Sequence, residues 1–287
     1  RLALGRVAEA VAQGTTYLET KTGYGLDVEN EARSARIAST IADEVTYLGA
    51  HLVPEGMDAE EYTDLVCGPM LAAVRPYARW ADVFCERGAF NEEQSRRVLA
   101  ACRDAGLGLR VHGNQLGEGP GVRLAVEFEA ASVDHVNYLS RRDVEALADS
   151  WSGWEAAAGA GERGTVATCL PACDLSTRQP LAPGRELLDA GVQLALASNC
   201  NPGTSYTSSM AFCVTTAVLQ MRLSVHEAVR AATYGGALAL GRESGNDVDG
   251  QRAVGSIAVG HRADLQLLNA PSATHLAYRP GMPLTHA

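Results

Sequence analysis

The sequence of 287 residues lacks the features that would place it on nucleic acid or in a membrane. It has 24 lysine and arginine residues against 34 aspartate and glutamate residues, so its formal net charge is −10. Binding to a phosphate backbone requires clustered cations, which argues against a nucleic-acid partner. No apolar run approaches the roughly 20 residues needed to cross a bilayer. Charges interrupt the apolar stretches of the N-terminal segment, so we expect an amphipathic helix there rather than a signal peptide. The sequence therefore predicts a cytoplasmic protein with a small-molecule partner and no membrane contact.

Repeats, heptads and low-complexity tracts are also absent. The cysteines give neither a disulfide framework nor a zinc pattern: they number seven, and most lie in apolar runs typical of buried thiols in a reducing compartment. Cys169 and Cys173 are spaced as a pair, but no second pair accompanies them, so we interpret them as packing residues. Hydrophobic residues make up 46% of the chain, which is enough for a globular core.

Seven short β-branched or alternating runs recur along the chain, and segments with helical spacing separate most of them. This order predicts an α/β fold, with a parallel sheet and crossover helices. Its regularity favours a (β/α)8 barrel of the TIM type, which needs eight strands, so we expect the first barrel strand to be missing because it lies upstream of Arg1. The predicted strands span residues 15–22, 45–53, 81–88, 108–115, 132–139, 165–172 and 192–200.

The C-terminal part of the sequence has a different pattern. Residues 1–249 are assigned to the barrel, and residues 250–287 are expected to be part of a small β-sandwich domain. Within that second domain, two short strands are predicted in 255–272, on either side of a Gly-His turn. The segment 151–164 is rich in glycine and alanine, and is predicted to be a surface loop.

Polar residues at the carboxyl ends of barrel strands line the active-site mouth in this type of fold. His112 and His135 follow consecutive predicted strands, and neutral imidazole suits zinc and iron. A hydrogen-bonded structural histidine is the competing interpretation, since two histidines are fewer than the three or four protein ligands of a metal site. The turn at 202–204 is likewise open: it is either a simple turn or a carboxylate-binding group of backbone N–H donors.

Several motifs in this order resemble the imidazolonepropionase family of the amidohydrolase superfamily. The resemblance covers nearly the whole chain except 151–164. It implies the amidohydrolase type of barrel, and hydrolysis of the cyclic amide of 4-imidazolone-5-propanoate to N-formimidoyl-L-glutamate in histidine degradation, with one divalent metal ion, zinc or iron. The motifs are KTGYGLD (21–27), LGAHLVP (48–54), DVFCERGAF (82–90), RVHGNQL (110–116), VDHVNYL (133–139), ASNCNPGT (197–204) and RADLQLLNAPSATHLAYRPG (262–281).

The resemblance also implies roles for individual residues. His112 matches a metal ligand, and His135 matches the catalytic histidine that lies beside the metal and assists at the substrate carbonyl. The family's His-x-His metal pair, and an arginine for the substrate carboxylate, belong to the segment expected upstream. The implied substrate contacts are Tyr24, His51, Gln115, Asn201, Gly203 and Thr204.

The chain departs from the family pattern at one position. The family has Asp-Cys-Asn-Pro-Gly after the last strand, and its aspartate is both metal ligand and catalytic proton acceptor; here the position is Asn199. An amide oxygen can coordinate a metal but cannot accept the proton, and general-base assistance is worth about 10²–10⁴-fold. Two alternatives to an impaired hydrolase stay open: another amidohydrolase, such as a heterocycle deaminase, and a non-catalytic metabolite-binding copy. The sequence leaves a homodimer open.

Overall fold

The computed structural model describes residues 1–155, 160–244 and 251–286. Its described strands are β1 (Glu19–Lys21), β2 (Glu44–Ala50), β3 (Trp80–Cys85), β4 (Gly108–Gly113), β5 (Ser132–His135), β6 (Trp154–Glu155), β7 (Ala160–Gly161), β8 (Val166–Cys169) and β9 (Leu194–Leu196). Seven of these strands form one parallel sheet in the order β1-β2-β3-β4-β5-β8-β9, while β6 and β7 pair antiparallel with each other. Each of the seven predicted barrel strands is therefore confirmed.

Helices connect successive strands of the sheet, as a parallel order requires. Side-chain caps begin several of them: Asn91 and Gln94 form a capping box at the start of α5, and Ser140 and Asp143 form another at the start of α7. The helices are α1 (Leu2–Ala12), α2 (Val28–Ala38), α3 (Ala59–Leu65), α4 (Leu71–Val74), α5 (Glu92–Asp104), α6 (Gly121–Glu127), α7 (Arg141–Ser150), α8 (Pro171–Thr177), α9 (Gly184–Asp189), α10 (Met210–Gln220), α11 (Val225–Arg230), α12 (Gly236–Ala239) and α13 (His275–Tyr278).

The sheet curls, because side chains from distant strands meet on one of its faces. Strands β1 and β5 are four positions apart, so a flat sheet would separate them by about 19 Å. Lys21 Nζ on β1 nevertheless lies 3.2 Å from Asp134 Oδ2 on β5. Seven parallel strands curled in this way form a partial barrel, which confirms the predicted fold class.

Alternation along the strands separates an apolar outer face from a polar interior. Val83, Val111 and Val133 are fully buried in the core cluster that joins the sheet to its helices. Asp82 and His112 come directly before and after two of these valines, so they lie on the opposite face of the sheet, inside the barrel. Charged side chains therefore line the interior, while the hydrophobic core lies between strands and helices.

The segment 151–164 is more ordered than the predicted surface loop. Trp151 is buried, its Nε1–H donates to the carbonyl oxygen of Thr165 (2.9 Å), and its ring packs edge-on against Trp154. Strands β6 and β7 form a short antiparallel pair here; residues 156–159 lie outside the described residues. The loop prediction was wrong for the described part because it gave more weight to glycine and alanine than to the two tryptophans, which bury large apolar surfaces.

The two strands predicted in 255–272 are not formed. Within the described residues 251–286, an isolated bridge joins Leu268 to Thr285, and the helical turn α13 lies between these two residues. Ile257 and Val259 are almost fully exposed, so this segment has no apolar face packed on a neighbouring strand. A two-stranded hairpin without such packing is marginal in water, which explains the difference. The division between domains at 249 and 250 falls outside the described residues and stays a prediction.

In the described ranges, no helix has both the length and the apolar character that spanning a membrane requires.

Candidate active site

Lys21 is the only lysine in the chain, and its ammonium group lies inside the barrel among three carboxylates. Nζ is 2.9 Å from Asp82 Oδ2 and 3.2 Å from both Glu19 Oε1 and Asp134 Oδ2. Burial lowers the pKa of Lys21, but the three carboxylates outweigh burial and raise it overall. The ammonium is therefore charged, and it links β1, β3 and β5 from inside the barrel.

The imidazole of His112 is held by one of these carboxylates. His112 Nδ1 lies 2.9 Å from Asp82 Oδ2, and the Asp82 side chain is fully buried. Burial raises the pKa of Asp82, but His112 and Lys21 outweigh it and hold that pKa well below its usual range. A carboxylate beside Nδ1 favours the tautomer with hydrogen on Nδ1, which leaves Nε2 as the nitrogen able to bind a ligand. Metal-binding histidines are commonly oriented by a carboxylate in this way.

His135 ends β5 beside His112, with the two ring centroids 5.3 Å apart. Its backbone φ is 86°, in the left-handed region that residues other than glycine seldom adopt. Burial, followed by the nearby His112, lowers the pKa of His135 to about 3, so its ring is neutral near neutral pH. A neutral imidazole can donate one hydrogen bond and accept another. The structure thus brings together the two histidines that the sequence singled out.

One group of metal-compatible side chains occurs in the described residues. Ligand atoms of Asp82, His112 and Asp134 all lie within 4.8 Å of one another. Lys21 already provides a cation between the two carboxylates, so His112 is the member of this group that is suited to bind a metal directly. Imidazole nitrogen backed by a carboxylate suits zinc and iron, so the donor chemistry fits a divalent metal at His112.

Asn199 lies three residues beyond β9, where the chain leaves the carboxyl edge of the sheet. Its φ is 49°, a left-handed conformation that asparagine and aspartate tolerate better than other side chains. The amide oxygen lies 3.5 Å from Asn201 Nδ2, and the amide also contacts the Cys173 thiol. The metal-binding and catalytic roles of Asn199 stay predictions.

Tyr24 and His51 meet at the mouth of the barrel. Their rings pack edge to face with centroids 5.0 Å apart. His51 Nδ1 lies 3.3 Å from the carbonyl oxygen of Gly23, and because that oxygen only accepts, Nδ1 carries the hydrogen when they bond. Tyr24 is 63% exposed, and a Cβ placed on Gly203 would lie 3.9 Å from its hydroxyl. Two of the predicted substrate contacts therefore adjoin each other and the turn after β9.

The backbone N–H groups of the turn at 201–204 donate to a side chain of the same turn. Asn201 Oδ1 accepts from the backbone N–H groups of Gly203 (2.9 Å) and Thr204 (2.8 Å), and also from the Thr204 hydroxyl (3.2 Å). Asn201 Nδ2 in turn donates to the carbonyl oxygen of Asn199 at 2.7 Å. The predicted carboxylate-binding N–H groups are thus occupied by an asparagine side chain, a typical Asx turn. A substrate carboxylate would have to displace this amide or bind beside it.

Gln115 follows β4 and is buried, and its backbone N–H donates to Glu86 Oε1 at 2.5 Å. Glu86 also accepts from the backbone N–H of Leu116 at 3.3 Å, and burial raises the pKa of this carboxyl group. Sequence reasoning placed Gln115 at the mouth but assigned no role to Glu86, the carboxyl group that anchors it. Glu86 occupies a strand end, like the predicted residues, and this position was the available signal.

The chain matches a known protein family in sequence, and its fold resembles solved structures. Residues 85–280 match the model of the Amidohydrolase family. Among solved structures, an atrazine chlorohydrolase from Arthrobacter aurescens complexed with zinc and atraton has a TM-score of 0.71, with 17% identity over 99% of this chain and 69% of that one. A zinc-bound adenosine deaminase from Xanthomonas campestris has a TM-score of 0.66, with 18% identity over 99% of this chain and 67% of that one. At this identity the likeness shows the fold alone.

Curated relatives narrow the family further. An imidazolonepropionase from Arthrobacter sp. (strain FB24) is 89% identical over 287 residues, all of this chain and 71% of the relative. An imidazolonepropionase from Micrococcus luteus is 67% identical over 291 residues, again covering all of this chain and 71% of the relative. The chain therefore belongs to the imidazolonepropionase branch of the amidohydrolase family. Membership and the group around His112 together support an enzyme with a divalent metal and a small-molecule substrate.

Proposed function

We propose that the protein hydrolyses the cyclic amide of 4-imidazolone-5-propanoate, giving N-formimidoyl-L-glutamate. The observation that carries the proposal is the 89% identity to an imidazolonepropionase along the whole chain. His112, with Nδ1 against Asp82, is the residue that would hold the metal from this part of the protein. Imidazole suits zinc and iron alike, and either metal, when bound, lowers the pKa of water toward about 7 and polarises a carbonyl group.

Side chains of this chain are proposed to stabilise the reacting carbonyl group and to bind the substrate. His135 is buried, neutral and adjacent to His112, so it can donate a hydrogen bond to the carbonyl oxygen as negative charge develops there. Tyr24 presents a hydroxyl at the mouth, where it can donate to the anionic propanoate tail. The further proposed contacts to substrate or product are His51, Gln115, Asn201, Gly203 and Thr204.

Asn199 favours one alternative, in which this copy binds the metabolite without turning it over. An amide at this position cannot take up the proton that the family's aspartate accepts. The test is the loss of imidazolone ultraviolet absorbance with the metal-loaded protein, with formimidoyl-glutamate and ammonia measured alongside. Ring opening without ammonia release supports the proposal. Ammonia release from a heterocycle would favour a deaminase, and tight binding without turnover would favour the metabolite-binding copy.

A further inference from the structure

The loop that carries Tyr24 is held by a buried carboxylate on the next helix. Glu31 lies in the first turn of α2, and none of its surface is exposed. Its Oε1 accepts from the backbone N–H groups of Gly23 (3.0 Å) and Gly25 (2.6 Å), and its Oε2 lies 3.1 Å from the same Gly23 nitrogen. The two amides that flank Tyr24 therefore bind to one side chain.

The backbone of this loop is shaped to let the carboxylate approach. Gly23 has φ of 114°, and a Cβ there would lie 2.7 Å from the carbonyl oxygen of Leu48. A Cβ on Gly25 would lie 2.5 Å from the backbone nitrogen of Glu31 itself. Both positions therefore require glycine, the first for conformation and both for space. Because two glycines of one short loop are constrained in this way, the loop has one fixed backbone conformation.

The same loop positions both aromatic groups at the mouth. The carbonyl oxygen of Gly23 lies 3.3 Å from His51 Nδ1, and the backbone N–H of the same glycine donates to the Glu31 carboxylate. The Tyr24 ring then packs edge to face on His51, with centroids 5.0 Å apart. A shift of the Gly23 peptide would move the partner of His51 and the attachment point of Tyr24 together.

We propose that Glu31 is a positioning residue, which sets Tyr24 and His51 for substrate through the backbone of residues 23–25. The inference rests on the proposed function, in which both side chains contact the substrate. Glu31 itself lies behind the loop and fully buried, so it does not touch the substrate. Its contribution is to hold two peptide groups before the substrate arrives, and such preorganisation lowers the cost of binding.

The test compares Glu31→Gln with Glu29→Gln in the metal-loaded protein. Glutamine keeps the shape of Glu31 but replaces one acceptor oxygen by an NH2 group facing backbone donors. Glu29 is exposed in the same turn of α2, so its variant makes the same charge change away from the loop. We expect Glu31→Gln to raise KM for 4-imidazolone-5-propanoate at least about tenfold, with a smaller change in kcat, since misplaced contacts can cost up to about 10²-fold. We expect Glu29→Gln to leave both constants unchanged.

A double-variant cycle with Tyr24→Phe separates positioning from general loss of structure. If Glu31 acts through Tyr24, the double variant binds substrate about as weakly as the weaker single variant, whereas independent effects multiply. Gly25→Ala, which displaces the loop while keeping Glu31, should raise KM in the same way. Unchanged KM in Glu31→Gln, or fully multiplicative effects in the cycle, would overturn the inference.

Amide hydrogen exchange across residues 22–26 gives a readout that needs no turnover. Exchange there should accelerate in Glu31→Gln and not in Glu29→Gln, because the N–H groups of Gly23 and Gly25 lose their charged acceptor. Equal exchange rates in the two variants would refute the proposal that Glu31 fixes the backbone of this loop. If the unsubstituted protein fails to open imidazolone propanoate, the proposed function falls, and the exchange comparison still decides whether Glu31 fixes the loop.

Discussion

Replacing Lys21 by methionine should destabilise the barrel strongly, and more at alkaline than at acidic pH. The ammonium lies within 3.2 Å of three carboxylates, of which Asp82 is fully buried and Asp134 is 8% exposed. Around it, the three carboxylates face Lys21, the buried Arg110 and the imidazole of His112, and removal of Lys21 takes away the cation that contacts all three carboxylates. Removing one partner of a buried ion pair costs about 3–5 kcal/mol, so we expect a loss of that size at about pH 8.

The pH dependence follows from the pKa values of the groups around Lys21, namely the carboxyl groups and His112. In the native protein the pKa of Asp82 is lowered, so its favourable contribution is present above the usual aspartate range and is lost as the pH falls below that range. Burial lowers the pKa of His112, but Asp82 outweighs burial and raises it overall; without Lys21, whose charge also lowers it, the pKa of His112 should rise further. A raised pKa adds stability below the unfolded value and loses it as pH rises. The loss of unfolding free energy caused by Lys21→Met should therefore be smaller at about pH 5 than at about pH 8.

Urea unfolding followed by circular dichroism at both pH values measures this difference. The matched control is Arg141→Met, which removes one positive charge from the exposed pair Arg141–Glu145 (2.7 Å). An exposed pair of this kind contributes about 0.3–0.5 kcal/mol, so the control should change little at either pH. If Lys21→Met costs less than about 1 kcal/mol at about pH 8, or costs the same at both pH values, the account of the ammonium as a buried counter-ion is wrong.

Three further predictions test other parts of the molecule. Asp82→Asn should weaken metal binding about 10- to 100-fold, because the carboxylate behind His112 is lost; competition with a chelator measures it, and unchanged affinity would contradict the role of Asp82. Asn199→Asp should raise ring-opening kcat by about 10²–10⁴-fold in the ultraviolet assay, and equal turnover would show that the proton acceptor lies elsewhere. Asp174 is buried and its pKa is raised to about 7. Asp174→Asn should therefore stabilise the fold by about 1–3 kcal/mol at about pH 8 and by less at about pH 5, and urea titrations that show no such difference would refute this.

The barrel could be predicted from sequence because its signal is local. Each strand of the parallel sheet is a short apolar or alternating run followed by polar residues, and helices connect successive strands. Residues 255–272 contain similar runs, yet they form no strand. Whether an apolar run becomes a strand depends on a partner and a face to cover, and neither is encoded within the run itself.

In the candidate site, too, some features follow from local sequence and others depend on the three-dimensional fold. The adjacency of His112 and His135 follows from consecutive strands, and the structure shows it. The salt bridge between Lys21 and Asp134 joins β1 to β5, so it depends on how far the sheet curls. No local sequence pattern predicts that curvature. The hold of Glu31 on the loop depends on two backbone N–H groups that only a three-dimensional path brings together.

Asparagine at 199 is compatible with the local structure, which makes this position a clean test of chemistry. The left-handed φ of 49° suits aspartate as well as asparagine. The neighbouring turn is tied to position 199 through the backbone carbonyl oxygen, which accepts from Asn201 Nδ2 at 2.7 Å, and this bond does not depend on the side chain at 199. Exchange of the amide for a carboxylate therefore changes charge and proton affinity while the turn keeps its geometry. Any change in rate on Asn199→Asp then reports the chemistry of the side chain, as metal ligand and as base, rather than a rearranged loop.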